Sequence, residues 1–362
     1  MPAYGTKQAE KFGAAVQSIY FQRSVAEVIT NQDYEGEIKD QASILNIPFL
    51  AATEWTNYTG ADATPQDLEE SSGQLVTNQK KKYYVRIYNI KKFESYIKKP
   101  EGTVIDTAAK GLKKLVDQFV LGFYGDAAAG NRVGTDYTTG TVTVDVTTGA
   151  VTGSGTTFTA AMVGRGFKAT GHTKWYRVKS YASGTSIVIE DDLDDVTSAY
   201  TGGAIAGGAT YIIEAATAVQ VTKDTVYAQI NSLAVKLDDL EIPDEDRWLV
   251  VPSAVASLIR QSSAYTPAIE SAWREVVRRG LVGELAGFTI YKSSRCTGDA
   301  VNGWHLLAGH KSAITYANGL VDSHVEPWLP GNSGIAYFGL SVYGAKVTDE
   351  RRKALAEFFC KL

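Results

Sequence analysis

Four histidines, two cysteines and one dense carboxylate run are the residues of this chain best equipped to bind a metal or move a proton. His305 and His310 stand five apart, on different faces of a helix and on opposite faces of a strand. They read, with His172 and His324, as structural residues. Cys296 and Cys360 make no CxxC pair and no zinc spacing, so they read as reduced, mostly buried thiols. Glu190-Asp191-Asp192-Leu193-Asp194-Asp195 clusters carboxylates as a calcium loop does, but lacks the loop glycine and the closing bidentate glutamate. A solvated acidic turn is the expectation there. Gly153-Ser154-Gly155 lacks the later glycine and lysine of a phosphate-binding loop and reads as a tight β turn. Gly331-Asn332-Ser333-Gly334 has the wrong spacing for a nucleophile elbow. With no nucleophile, base or metal constellation left, the expectation is a protein without catalytic residues, cofactor or metal.

Charge is the stronger signal. Residues 80–99 hold eight Lys and Arg against Glu94 alone, with Tyr83, Tyr84, Tyr88, Phe93 and Tyr96 interleaved. Cations beside rings suit single-stranded nucleic acid. The preceding segment is acidic, however, with Glu54, Asp62, Asp67, Glu69 and Glu70. The whole chain balances 36 Lys+Arg against 40 Asp+Glu, a net of -4. A strong nucleic-acid binder draws its affinity from a basic excess that is missing here. The reading that follows is an extended hairpin over about residues 50–92, its outgoing limb acidic and its return limb basic, offering both signs to protein neighbours. The candidate contact residues are Lys80, Lys81, Lys82 and Arg86 on the return limb and Asp67, Glu69 and Glu70 on the outgoing one. Asp238, Asp239, Glu241 and Glu245, in a later acidic turn, are the groups those cations are expected to face on an adjacent copy.

The elements that must position these residues follow from periodicity. With 362 residues and 44% hydrophobic content, the chain can form two or three domains without disulfide or metal staples. It has no apolar run of membrane-spanning length and no basic-then-apolar leader at its start. An amphipathic stretch runs over about 12–29, and a short strand over 44–49. Pro100-Glu101-Gly102-Thr103 opens a long helix with Ile105, Ala108, Ala109, Leu112, Leu115, Val116, Phe119, Val120 and Phe123 on one face. Lys110, Lys113, Lys114 and Asp117 fall on the other, and Gly125 stops it. Between 140 and 215 the composition turns to Thr and Gly without proline, in short alternating runs at 141–144, 166–169, 175–178, 186–189 and 211–213. Such runs predict a small β barrel or sandwich set into the surrounding fold. Helical spacing returns over 226–237. Trp248-Leu249-Val250-Val251-Pro252 reads as a buried strand, and Ser253 as the cap of a helix over 253–261. A further helix runs from Thr266 to Gly280. Strands at 288–291, 304–307 and 335–347 and a closing helix over 349–359 complete an α+β layout.

This order of features resembles the major capsid proteins of tailed bacteriophages, the Hong Kong 97-type fold. The stretches that carry the likeness are Thr30-Asn31-Gln32-Asp33-Tyr34-Glu35-Gly36-Glu37, Trp248 to Leu258, Gly283-Glu284-Leu285-Ala286-Gly287-Phe288-Thr289-Ile290 and Ala308-Gly309-His310-Lys311-Ser312-Ala313-Ile314. The inserted segment is similar to a β module of phage virion proteins, on Val151-Thr152-Gly153-Ser154-Gly155-Thr156-Thr157-Phe158, Met162-Val163-Gly164, Trp175-Tyr176-Arg177-Val178 and Tyr200-Thr201-Gly202. Its place after the long helix departs from the best-known inserted capsid domains. The resemblance implies an N-terminal arm (1–47), an extended loop (48–92), a spine helix with the first part of a peripheral domain (93–137) and the insert (138–215). A peripheral helix (216–247), an axial domain (248–333) and a long strand with a C-terminal helix (334–362) follow. It also implies a function: self-assembly into the icosahedral head shell around double-stranded DNA. The implied partners are copies of itself in hexamers and pentamers, a separate scaffolding protein, a portal, cement or decoration proteins, and packaged DNA held non-specifically; no membrane is involved. The implied location is the virion, after synthesis in the host bacterial cytoplasm. Some relatives carry a longer N-terminal scaffolding segment that is cut away; with about forty-five residues before the hairpin, the expectation here is an unprocessed chain. An encapsulin-like cellular shell of the same fold and a tail or fibre protein that binds a host surface are the alternatives.

Overall fold

Pro100 begins the longest helix among the described residues, Pro100–Val120, at a position where its missing N–H costs nothing. A computed structural model describes residues 24–33, 44–50, 70–88, 100–192, 199–262, 281–326 and 334–362. The helix tightens into a 3-10 turn, Leu121–Asp126. Val116, Val120 and Leu121 are buried, and Leu112, Phe119 and Phe123 pack beside them. Three positions depart from the predicted stripe, the first being Ala109, which is exposed. Leu115 is 42% exposed, whereas Asp117, expected on the solvent side, is fully buried. Specific polar partners draw Asp117 inward, as set out below.

The inserted segment is an eight-stranded antiparallel sheet spanning 135–217, in the order Ile205–Ala209, Thr141–Val144, Ala150–Ser154, Ser186–Asp191, Tyr176–Ser183, Gly166–Ala169, Tyr211–Thr217 and Thr135–Tyr137. Residues from both ends of that order, Ile205 and Tyr137, pack on one core with Phe167, Ile187 and Ile213. The sheet therefore curls around a single apolar centre, as a small barrel or sandwich would. Three of its strands were not predicted (135–137, 150–154 and 205–209), because they are short or broken by Gly and Ala and show no sustained alternation.

A second sheet runs Val219–Gln220, Leu355–Lys361, Gly303–His310, Arg247–Val251, Phe288–Lys292 and Leu281–Leu285. Helices Val226–Asp238 and Ser253–Gln261 cover it through Val226, Ile230, Leu233, Leu237, Val255 and Ile259. Pro252, not Ser253, flanks the latter helix, and it donates no side-chain cap. The predicted closing helix over 349–359 is overturned: one helical turn, Asp349–Arg352, leads into strand Leu355–Lys361. That strand pairs along six positions with 304–309 and is buried on both faces. Burial on both faces explains its near-continuous apolar run.

The third sheet has three strands, Thr315–Glu326, Gly334–Lys346 and Gln79–Tyr88. The basic strand was expected to pair with the outgoing limb of its own hairpin. It pairs instead with the late strand, Lys80 opposite Val342 and Tyr88 opposite Gly334. The hairpin stem is a separate pair, Ile44–Leu50 against Glu70–Val76. Strand 315–326 belongs to this third sheet, while 355–361 completes the second. The predicted helix over 266–280 and residues 12–23 lie outside the described residues; of the amphipathic stretch, Ala26–Ile29 is helical.

Candidate assembly surfaces

Pairing with strand 334–346 sorts the basic residues by face. Lys80, Lys82, Tyr84 and Arg86 are exposed, while Lys81, Tyr83, Val85 and Ile87 alternate with them and are half-buried. Alternate residues on a strand share a face at a spacing of about 6.8 Å. Lys80, Lys82 and Arg86 thus form one row of positive charge, and Lys81 does not belong to it. The Arg86 guanidinium lies 4.9 Å over the Tyr84 ring, and Tyr84 meets Phe338 edge-on at 6.5 Å. Half-buried Phe338, Leu340 and Val342 run beside the row on the neighbouring strand. Among the described residues, no carboxylate pairs with Lys80, Lys81, Lys82 or Arg86.

The predicted acidic partners divide. Asp238 is occupied within its own chain: buried Arg247 donates to its Oδ1 at 2.6 Å, lies 3.0 Å from Asp244 and also donates to the Pro243 carbonyl. Asp238 therefore helps to shape the turn, while its side chain stays 53% exposed. Asp239, Glu241 and Glu245 are exposed there. Glu70 begins the stem strand opposite Leu50, and Asp67 and Glu69 lie outside the described residues.

The residues with possible chemistry are consumed structurally. His172 shares a 2.7 Å hydrogen bond with the Tyr200 hydroxyl, and His310 one of the same length with Ser312. The run at 190–195 is described only as far as Asp192, and its first two residues are not solvated as expected. Glu190 and Asp191 are buried, the first paired with Arg177 and Lys179, the second with Lys174. Burial pushes both thiols up, to about 12 at Cys296 and about 12 at Cys360, which makes them poor nucleophiles.

Two buried ionic clusters were missed by sequence reasoning. At the first, Asp117 of the long helix accepts from Ser24 Oγ (2.6 Å) and from the backbone N–H groups of Val25 and Ala26 (3.1 and 3.0 Å). Its other oxygen meets Arg295. One carboxylate thus accepts from the two N–H groups at the start of helix 26–29 and ties it to the long helix and to the loop after 288–292. Asp117→Asn should cost about 3–5 kcal/mol, because it takes the negative partner out of a buried ion pair with Arg295. Denaturant titration of the two proteins measures it, and a midpoint unchanged from wild type refutes the assignment.

At the second cluster, fully buried Glu357 lies between three cationic or titratable groups. Arg165 Nη1 is 2.6 Å from Oε2, and His305 Nδ1 is 2.5 Å from Oε1. Arg132 Nε stands 3.5 Å from Oε2, contributing charge without a hydrogen bond. The His305 ring is stacked between Tyr124 and Phe359 at 4.3 and 4.1 Å. Burial alone would raise the Glu357 carboxyl, but the His305 bond and the fields of Arg165 and Arg132 outweigh it and hold it below the ordinary glutamate range. Nearby Glu214 behaves oppositely: burial pushes its carboxyl up despite Arg132 and Lys236, while its oxygens accept from the Gly130 N–H at 2.9 Å. A charged residue inside the apolar run Leu355-Ala356-Glu357-Phe358-Phe359-Cys360 was the one signal available in the sequence.

No family model and no curated protein sequence matches the chain. Solved structures do. A chain from Mycobacterium phage Che8 aligns over 98% of this chain and 98% of its own length, with a TM-score of 0.62 at 16% identity. A chain from the capsid of the Cyanophage P-SCSP1u aligns over 97% and 92%, with a TM-score of 0.57 at 11% identity. One from the mature capsid of bacteriophage PhiM1 aligns over 97% and 91%, with a TM-score of 0.56 at 11% identity. The α+β fold of this chain is therefore the fold of phage capsid chains.

Proposed function

We propose that this chain is the structural subunit that self-assembles into the icosahedral head shell of a tailed bacteriophage, around its double-stranded DNA. The observation that carries the reading is the near end-to-end match to phage capsid chains, insert included in the aligned span. A fibre protein would share at most the β module, and a role in chemistry finds no support in residues already spent on structure. Closed shells are built from heterologous contacts whose geometry closes, and each contact can be modest because many act together. The row Lys80, Lys82 and Arg86 suits that demand. It is exposed, of one sign, fixed on a sheet, and met by no carboxylate among the described residues of its own chain. Its partners in the shell are acids of an adjacent copy: Asp239, Glu241 and Glu245 of the exposed turn, or the Asp67, Glu69 and Glu70 run. A scaffolding protein, a portal and cement proteins complete the assembly, packaged DNA is touched without sequence preference, and the protein is made in the bacterial cytoplasm before it enters the virion.

The test is direct. The chain is expressed alone and with the genes beside it, then followed by sedimentation velocity and negative-stain imaging. Closed shells of uniform diameter are the expected result. A chain that stays monomeric at high concentration in both preparations overturns the reading.

A further inference from the structure

The insert leaves and rejoins the body at one place. On the way in, Arg132–Val133 pairs in parallel with the C-terminal strand, Arg132 opposite Glu357 and Val133 opposite Phe358. On the way out, Val219–Gln220 pairs with the same strand, Val219 opposite Cys360. The two connections thus lie end to end along one edge of strand 355–361. The side chains there reach three separate parts of the fold. Arg132 donates to the carbonyls of Gly125 and Ala127 at the end of the long helix (both 2.9 Å), and to that of Gly164 in the insert. Arg165 of the insert crosses to Glu357 in the body sheet and lies 5.1 Å over the Phe359 ring. On the far side, Arg352 donates to the Asp126 carbonyl (3.1 Å) and to Asp192 of the insert (2.7 Å), while the Asp192 carboxylate also accepts from the Ala129 N–H.

A domain hung on the surface as decoration needs only its two covalent connections. This one contributes a buried counter-charge to the body and is linked to the last turn of the long helix through Arg132 and Arg352. We infer that the insert is a brace: it fixes the joint between the long helix and the body sheet, with Arg132, Arg165 and Glu357 as its positioning residues. The inference rests on the shell reading for its consequence, because the angle at that joint sets how neighbouring subunits meet and so how the shell curves. Deleting 140–214 does not remove a passive module; it strips Arg165 from Glu357 and takes away the Gly164 and Asp192 anchors of the two arginines that hold the helix end.

The experiment is hydrogen exchange on the soluble full-length chain, comparing wild type, Arg165→Met and Arg165→Lys, with particles of each imaged alongside. Arg165→Met is expected to speed exchange at least tenfold at 121–133 and 355–360. The insert core at 142–144 and 187–189 should keep wild-type protection. Arg165→Lys, which keeps the charge but loses the planar fork, should fall between the two. Shells of Arg165→Met should show a broadened diameter distribution. Exchange unchanged at the joint, or raised equally throughout the insert core, overturns the brace. If Arg165→Met yields no soluble chain, Arg165→Lys decides alone: a local rise supports the brace and none overturns it. Should wild type itself form no shells, the shell reading fails, while the exchange pattern still judges the brace.

Discussion

Glu357→Gln is expected to lower the unfolding free energy by about 3–5 kcal/mol at neutral pH, the usual cost of breaking a buried ion pair from one side. The amide preserves the shape of the carboxylate and can still accept from one donor. It cannot neutralise Arg132 and Arg165, whose side chains are 2% and 10% exposed and have little water to turn to. The sign of the pH dependence follows from the depressed carboxyl. A group whose proton affinity falls on folding stabilises the native state fully above its unfolded value, near 4.5 for glutamate, and loses that contribution as the pH drops through the lower folded value. Wild type and variant should therefore be furthest apart at neutral pH and begin to converge as the medium is acidified below about 4.5, the gap closing only at the still lower pH where the folded Glu357 carboxyl itself takes a proton. Urea midpoints at pH 7, 5 and 3.5 measure the gap. A gap that widens on acidification would mean that the carboxylate is not the charged partner of the two arginines.

The same residue shows where sequence reading stops. Arg351-Arg352-Lys353-Ala354-Leu355-Ala356-Glu357 is made of good helix formers, and local propensity alone favours a helix. The strand wins because Gly303–His310 offers a ladder that no local window reveals. The basic strand is a parallel case: its type was legible from Tyr83 to Ile87, but its partner lies some 250 residues later, and register decides which lysines share a face. Asp117 was assigned to solvent by helical arithmetic, and it is buried because Arg295 and the start of helix 26–29 converge on it. Arg165, set between Gly164 and Gly166, reads as a loop residue. Its glycine neighbour is required by packing, since a Cβ on Gly166 would fall 2.2 Å from a Glu214 oxygen. What was legible was whatever depends on period and composition: most of the apolar stripe of the long helix, the short strands of the Thr/Gly-rich stretch, the buried strand 247–251. What was not legible was each contact between segments distant in sequence, and both ionic clusters are of that kind.

The double reversal Lys80→Glu with Lys82→Glu is expected to abolish assembly and leave the subunit folded. Both side chains are exposed and pair with nothing among the described residues of their own chain, so the folded subunit should lose no more than about 0.5 kcal/mol. Against an acidic partner surface, two new negative charges replace attraction by repulsion, and like charges brought together at an interface cost several kcal/mol. That is more than a modest shell contact supplies, and every copy carries the defect. Neutral Lys80→Gln with Lys82→Gln should weaken assembly without ending it, and raising the salt should weaken the wild-type shell in the same direction. Lys81→Glu separates the faces. Lys81 is half-buried on the opposite side of the strand, so its reversal should act on the stability of the three-stranded sheet before it acts on assembly. Circular dichroism with sedimentation velocity distinguishes the two effects. Normal particles from the double reversal would strip the basic row of its role, and equal loss of assembly from Lys81→Glu in a fully folded subunit would show that total charge, not its placement on one face, is what neighbouring copies read.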